Sequence, residues 1–161
     1  MLPAGTYTGK TVLITGGGTG LGKSIATYLA SLGANIVITG RRAEVLEQTA
    51  KEISEATGAQ VLGVAGDVRN IEDVERVLAE SIAKFGSVDV LLNNAAGNFV
   101  SPTERLSHRA FESVIGIVLQ GTVNFTLTLG KYWIQEKIKG NILNITTTYA
   151  FTGTAFTVPS A

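Results

Sequence analysis

Apolar and polar positions along the chain follow two periods, and the switches between them outline the fold before any motif is considered. The run Val12-Leu13-Ile14 reads as an apolar strand, and it gives way to a glycine-rich turn, Thr15 to Gly22. Leu21, Ile25, Leu29 and Leu32 then recur at helical spacing as far as Gly33, a residue suited to stop a helix. Asn35 to Thr39 reads as a buried strand and completes a β-α-β unit. Leu46, Ala50 and Ile53 mark a second amphipathic helix ending near Gly58, followed by a strand from Gln60 to Ala65. Val74, Leu78, Ile82 and Phe85 stripe a third helix up to Gly86, and Val88 to Asn93 forms a fourth strand.

Beyond a loop containing Pro102, a helical pattern runs from about Ser107 to Lys137. Phe111, Val114, Ile115, Val118, Phe125, Leu129 and Trp133 fall on one side, while Ile117, Leu119, Val123 and Leu127 make much of the other side apolar too. A surface helix keeps its second face polar, so more protein or another subunit is expected to cover this one. Asn141 to Thr146 reads as a fifth strand, and an irregular Thr/Gly/Phe-rich tail follows to Ala161. Strands alternating with helices at this spacing predict a doubly wound parallel α/β sheet with right-handed crossovers, about five strands in a single unit over residues 1–161.

Composition narrows the function. With 161 residues, 45% of them apolar and 16% charged, the chain can bury a core, which excludes disordered and fibrous classes. A formal net charge of zero leaves no electrostatic footprint for nucleic acid or an anionic membrane, so neither is expected as a partner. The absence of cysteine excludes disulfides and thiol catalysis. Met1 to Lys10 has neither a basic nor an apolar leader-like region, and no uninterrupted apolar run reaches membrane-spanning length, so the expected compartment is cytoplasmic.

The strand, glycine turn and helix at the start of the chain are built for phosphate. Glycines let backbone N–H groups close on an anion, and the first helical turn offers donors without partners. The spacing fits two patterns: Gly16-x3-Gly20-x-Gly22 matches a dinucleotide turn, and Gly17-x4-Gly22-Lys23-Ser24 satisfies the Walker A form. A P-loop also needs a Mg²⁺-binding acid at the carboxyl end of a neighbouring strand, whereas Asp89 lies near the beginning of its strand. Arg41, Asp67 and the Asn94 to Asn98 loop all fall just past strand ends, where a Rossmann-like sheet binds its ligand. That placement favours a dinucleotide and makes Lys23 an ordinary helix-surface lysine. Arg41 and Arg42 stand where an NAD-preferring domain presents an acid to the ribose, so the expected cofactor is NADP(H), with Arg41 the first contact and Arg42 the second. His108 is the only histidine, sits at a helix start and has no partner for a metal site or a triad.

With these pieces located, the chain resembles the short-chain dehydrogenase/reductase family: Thr15-Gly16-x3-Gly20-x-Gly22, Asp67-Val68, and Asn93-Asn94-Ala95-Ala96-Gly97. More specific are Asn93 to Phe99, Ser101 to Ser107, Ile145 to Ala150 and Val158 to Ala161, which look like the 2,4-dienoyl-CoA reductase branch. The resemblance implies NADP(H) held by Thr15, Gly16, Gly18, Thr19, Gly20, Leu21, Gly22, Arg41, Arg42, Asp67, Val68, Asn94, Ala95, Ala96 and Gly97, with no metal. It implies an acyl-CoA substrate and a homo-oligomer, a tetramer in this family. Thr147 and Ser160 stand about where common members carry their serine and tyrosine; the reductase branch implies Tyr149 and Asn98 as the catalytic pair, with Ser160 in support. Gln120 replaces the usual asparagine of the long helix. The family's lysine is expected a few residues beyond Ala161, so the chain looks like the front portion of a reductase, with the C-terminal part of the fold missing.

Overall fold

The computed structural model describes residues 2–161. Strands β1 (Thr11–Thr15), β2 (Asn35–Gly40), β3 (Val61–Ala65), β4 (Val90–Asn93) and β5 (Asn141–Asn144) form one parallel sheet in the order β3-β2-β1-β4-β5. The helices are α1 (Gly20–Ser31), α2 (Ala43–Thr57), α3 (Ile71–Phe85), α4 (His108–Ile115), α5 (Gly121–Glu136) and the short α6 (Tyr149–Thr152).

Alternation along the strands divides the core in two, because successive strand residues point to opposite faces. Leu13, Val37, Val64 and Leu91 pack with Val74 and Val77 of α3 and Phe125, Leu129 and Trp133 of α5. Val12, Ile14, Ile36, Ile38 and Leu92 pack on the other face with Ala26 and Ala30 of α1 and Leu46 and Ile53 of α2. Both faces are therefore covered, which explains why β1 and β2 read as continuous apolar runs.

The structure shifts two of the expected helices. In α1 the residues pressed on the sheet are Gly22, Ala26 and Ala30, while Leu21 is 56% exposed. The small residues let the helix approach closely; Ile25 and Leu29 pack beside that contact and Leu32 is buried, so of the expected stripe only Leu21 turns outward. The long helix covers the expected extent, but Gly116–Gln120 is a π-helical segment between α4 and α5. The widened turn is a local insertion in the helical ladder of the kind that clusters at functional sites.

By length and composition alone, His108–Glu136 is long and apolar enough to cross a bilayer, a property the apolar-run criterion missed. Its inward side is a core surface: Phe125 and Leu129 are buried, and the Trp133 indole N–H donates to the Val88 carbonyl at 2.6 Å. The outward side leaves Leu119, Leu127 and Ile134 58%, 57% and 80% exposed. β5 ends at Asn144, short of the expected Thr146, and is exposed throughout as an edge strand. At the amino end of the sheet, Asp89 accepts from Lys10 Nζ at 2.8 Å and from the Thr11 N–H at 3.0 Å.

Candidate active site

The sheet order reverses between β1 and β4, so their outgoing loops diverge and leave a crevice beyond the carboxyl ends. The first loop fits only as glycine. Gly16 has φ +65°, and a Cβ there would lie 2.9 Å from Ala95 Cα; one on Gly22 would lie 2.5 Å from the Gly16 carbonyl oxygen. Around the same turn, a Cβ on Gly20 would meet nothing within 4 Å, so the helix start opens onto free space.

The loops after β1 and β4 are fastened to each other. Thr15, 2% exposed, accepts at Oγ1 from the N–H groups of Asn94 (3.0 Å) and Ala95 (2.9 Å). Asn94 Nδ2 donates back to the carbonyls of Thr15 (2.9 Å) and Gly16 (3.2 Å). Thr15 and Asn94 thus spend their polar groups on holding the crevice's walls, and each hydrogen-bonding partner is backbone.

Between these walls lies a cleft of about 150 Å³ lined by Gly16, Gly18, Thr19, Arg41, Arg42, Asp67, Val68, Ala95 and Ala96, all expected from the sequence. Gly40, Val45, Leu46, Gly66 and Ile117 complete it. Gly40 and Gly66 could have been found from their places at the ends of β2 and β3; Ile117, expected on the outward apolar side of the long helix, instead lines the cleft from the π segment and packs against the core. Gly20 opens on an adjoining concavity between α1 and α2. Leu21 and Gly22 line neither, the one pointing to solvent and the other packed under the turn. Arg42 occupies the N-cap position of α2 without a side-chain capping bond. Lys23 is paired with Glu52 of α2, and this hydrogen bond, with a second from Gln48, holds the Glu52 carboxyl below its usual range. A lysine so engaged, together with Asp89 at the wrong end of β4, leaves the Walker reading without its essential groups.

Asp67 is clasped by Arg69, with Nη2 2.5 Å from Oδ2 and Nε 3.0 Å from Oδ1. Hydrogen bonding from that guanidinium is the main reason its carboxyl is held below the ordinary aspartate range, against a smaller opposing effect of burial; Arg41 adds a weaker attraction.

A second cavity, about 620 Å³, shares Ala95 and Ala96 with the first and brings Asn98, Tyr149 and Ser160 together. Asn94, Gly97 and Thr147 also line it, and Val118, Leu119, Ile145 and Ala150 make its walls mainly apolar. Asn98 Oδ1 accepts from the Phe99 N–H at 2.8 Å, which leaves the NH₂ as the amide's outward-donating end. Tyr149 opens α6, and Ser160 closes a 3₁₀ turn, Val158–Ser160. Cross-bonds tie the Asn98 loop to the Ser160 segment: the Ser101 N–H donates to the Phe156 carbonyl at 2.9 Å and Thr103 Oγ1 to the Ala155 carbonyl at 3.1 Å. Asn93, the first residue of the Asn93 to Gly97 motif, and Asn144, which the sequence did not single out, line the same cavity, where Asn93 Nδ2 donates to Asn144 Oδ1 at 2.9 Å and to Thr126 Oγ1 at 3.2 Å.

Gln120 is absent from this cavity's lining. It lies over a polar groove beside Asp67, Arg69 and Asn70, and donates to Asn124. His108 is exposed next to the capping Ser107 and meets neither cavity.

A family model described as short chain dehydrogenase matches residues 10–159. A probable 2,4-dienoyl-CoA reductase of Caenorhabditis elegans, described as (3E)-enoyl-CoA-producing, is 48% identical over 162 aligned residues, covering 100% of this chain and 52% of that protein. A probable 2,4-dienoyl-CoA reductase of Bacillus subtilis, described as (2E)-enoyl-CoA-producing, is 43% identical over 94% of this chain and 59% of its own length. The crystal structure of a short chain dehydrogenase from Bacillus anthracis superposes with a TM-score of 0.91 at 48% identity, covering 95% of this chain and 63% of that one. The chain therefore spans about half the length of the C. elegans relative it matches, 52%.

Proposed function

The chain belongs to the short-chain dehydrogenase family, and on that premise we propose that the protein is an NADPH-dependent reductase converting 2,4-dienoyl-CoA to 3-enoyl-CoA in the β-oxidation of unsaturated fatty acids. The observation that carries this reading is the convergence of Asn98, Tyr149 and Ser160 on one mainly apolar cavity that shares a wall with the glycine-turn cleft.

The residues of the first cleft fit a nicotinamide dinucleotide. Gly20 leaves open space at the start of α1 for a phosphate, and Arg41 and Arg42 give the far end a positive edge suited to a 2′-phosphate. When bound, the dinucleotide supplies hydride. Reduction of a conjugated dienoyl thioester drives negative charge onto the thioester oxygen, and catalysis requires donors fixed where that charge develops. The Tyr149 hydroxyl and the Asn98 NH₂ are those donors. Protonation at the carbon beside the carbonyl, from water or Tyr149, gives the 3-enoyl product, with Ser160 as a supporting hydrogen-bonding group.

The decisive assay follows NADPH consumption with a 2,4-dienoyl-CoA and identifies the product by NMR. Turnover of simple ketones with none of dienes would move the assignment to another short-chain reductase reaction, and a 2-enoyl product would overturn the protonation site. The exposed apolar side of α5 supports a homo-oligomer, which we take to be a tetramer; a monodisperse monomer in sedimentation at micromolar concentration would refute it. The compartment we propose is the cytoplasm, to be checked by fractionation.

A further inference from the structure

Gln120 and Asn124 form a polar chain whose direction is fixed from one end. The Val68 carbonyl can only accept, so Asn124, buried at 9% exposure, must turn its NH₂ toward it; the bond is 2.9 Å from Nδ2. Asn124 Oδ1 then faces the opposite way and needs a donor, which Gln120 Nε2 supplies at 2.8 Å. A group without a proton at position 120 leaves a largely buried acceptor unpaired and removes one of the two bonds that hold the Asn124 amide.

What this chain holds in place is a wall of the dinucleotide cleft. Val68 lines that cleft, and its side chain is pressed by the first residue of α5: a Cβ on Gly121 would lie 2.5 Å from Val68 Cγ2. Close by, Arg69, which clasps Asp67, packs on the π segment, with its Cδ 3.3 Å from where a Cβ on Gly116 would stand. The loop carrying Asp67 and Val68 is therefore anchored on residues 116–124, the stretch that also presents Ile117 to the cleft.

We infer that Gln120 is a positioning residue for the dinucleotide site, acting as the hydrogen-bond donor that holds the Asn124 amide in the direction set by the Val68 carbonyl, and through it the Val68 wall. This rests on the reading of the cleft as an NADPH site. It differs from a role in the substrate cavity, whose lining Gln120 does not join.

The test compares Gln120→Met, similar in size but without a donor, with Gln120→Lys, which restores one. NADPH affinity of the full chain is titrated by energy transfer from Trp133, its only tryptophan, at an ionic strength that screens the added charge, with thermal unfolding measured alongside. Q120M is expected to raise the NADPH Kd about fivefold, the loss of one hydrogen bond, and Q120K to return it to within about twofold of wild type, all with coincident unfolding. Wild-type affinity in Q120M, or affinity in Q120K as weak as in Q120M, would overturn the inference. Failure of the wild type to bind NADPH would instead overturn the dinucleotide reading itself.

Discussion

The two cavities share Ala95 and Ala96 but are made in different ways. The smaller cleft, the proposed dinucleotide site, is formed by loops fastened side chain to backbone: Thr15 and Asn94 bridge the loops after β1 and β4, glycines allow the close approach, and the strands beneath are buried. The larger cavity, the proposed substrate site, is formed by an edge strand, a π turn and two loops joined by a few cross-bonds, and Tyr149 within it is 45% exposed. The first is rigid because its donors and acceptors are consumed in making it. In the second, the Asn98 NH₂ and the Tyr149 hydroxyl make no bond within the protein among the described residues, the condition for donors that must meet a substrate.

Substitutions at each cavity should therefore separate. The largest effect is expected for Tyr149→Phe: a loss of about 10²–10³ in kcat with dienoyl-CoA, the usual consequence of removing one donor from a developing oxyanion. NADPH affinity measured in the same variant should stay unchanged; a parallel loss of both would mean that the cavities are not independent.

Thr15→Val should do the reverse. It leaves the Asn94 and Ala95 N–H groups without their acceptor, at about 1–3 kcal/mol each before the loop relaxes, so chemical denaturation should show a less stable protein and NADPH titration a weaker site. Arg41→Ala is expected to be milder and confined to the cofactor: about tenfold weaker NADPH binding with NADH binding unchanged, the signature of a lost 2′-phosphate contact. Equal losses for the two cofactors would remove Arg41 from that role.

The smallest effect is electrostatic. Asp67 has a depressed carboxyl pKa, chiefly through Arg69, so its contribution to stability is fully present above the unfolded aspartate value and is lost as pH falls through the folded one. The pair is partly exposed, with side-chain exposures of 43% and 26%, and solvent screening keeps its worth low. Arg69→Ala should thus lower stability slightly at neutral pH and flatten its loss below about pH 4, the two proteins converging once the carboxylate is protonated, measured by melting temperature against pH.

Local pattern carried most of the fold. The strands and helices fall where period and glycine stops put them, because each strand's burial and each helix's inward side are properties of short stretches. The errors came where tertiary contact overrides pattern. Leu21 belongs to an apolar stripe, yet Gly22, Ala26 and Ala30 meet the sheet because small residues permit a closer approach. The long helix reads as continuous, and no periodicity distinguishes the widened turn at Gly116–Gln120 from an ordinary one.

The sequence by itself determined the glycine turn between β1 and α1, the strand-end positions of Arg41, Asp67 and Asn98, and the parallel sheet, since backbone freedom, residue charge and hydrophobic period are all encoded within a few neighbours. Only the tertiary structure decided that Thr15 and Asn94 fasten the crevice, that Lys23 is held by Glu52, and that Gln120 faces Asn124 and the Val68 carbonyl. A side chain's type says what it can donate or accept; which partner it finds depends on residues tens of positions away that the fold brings within about 3 Å.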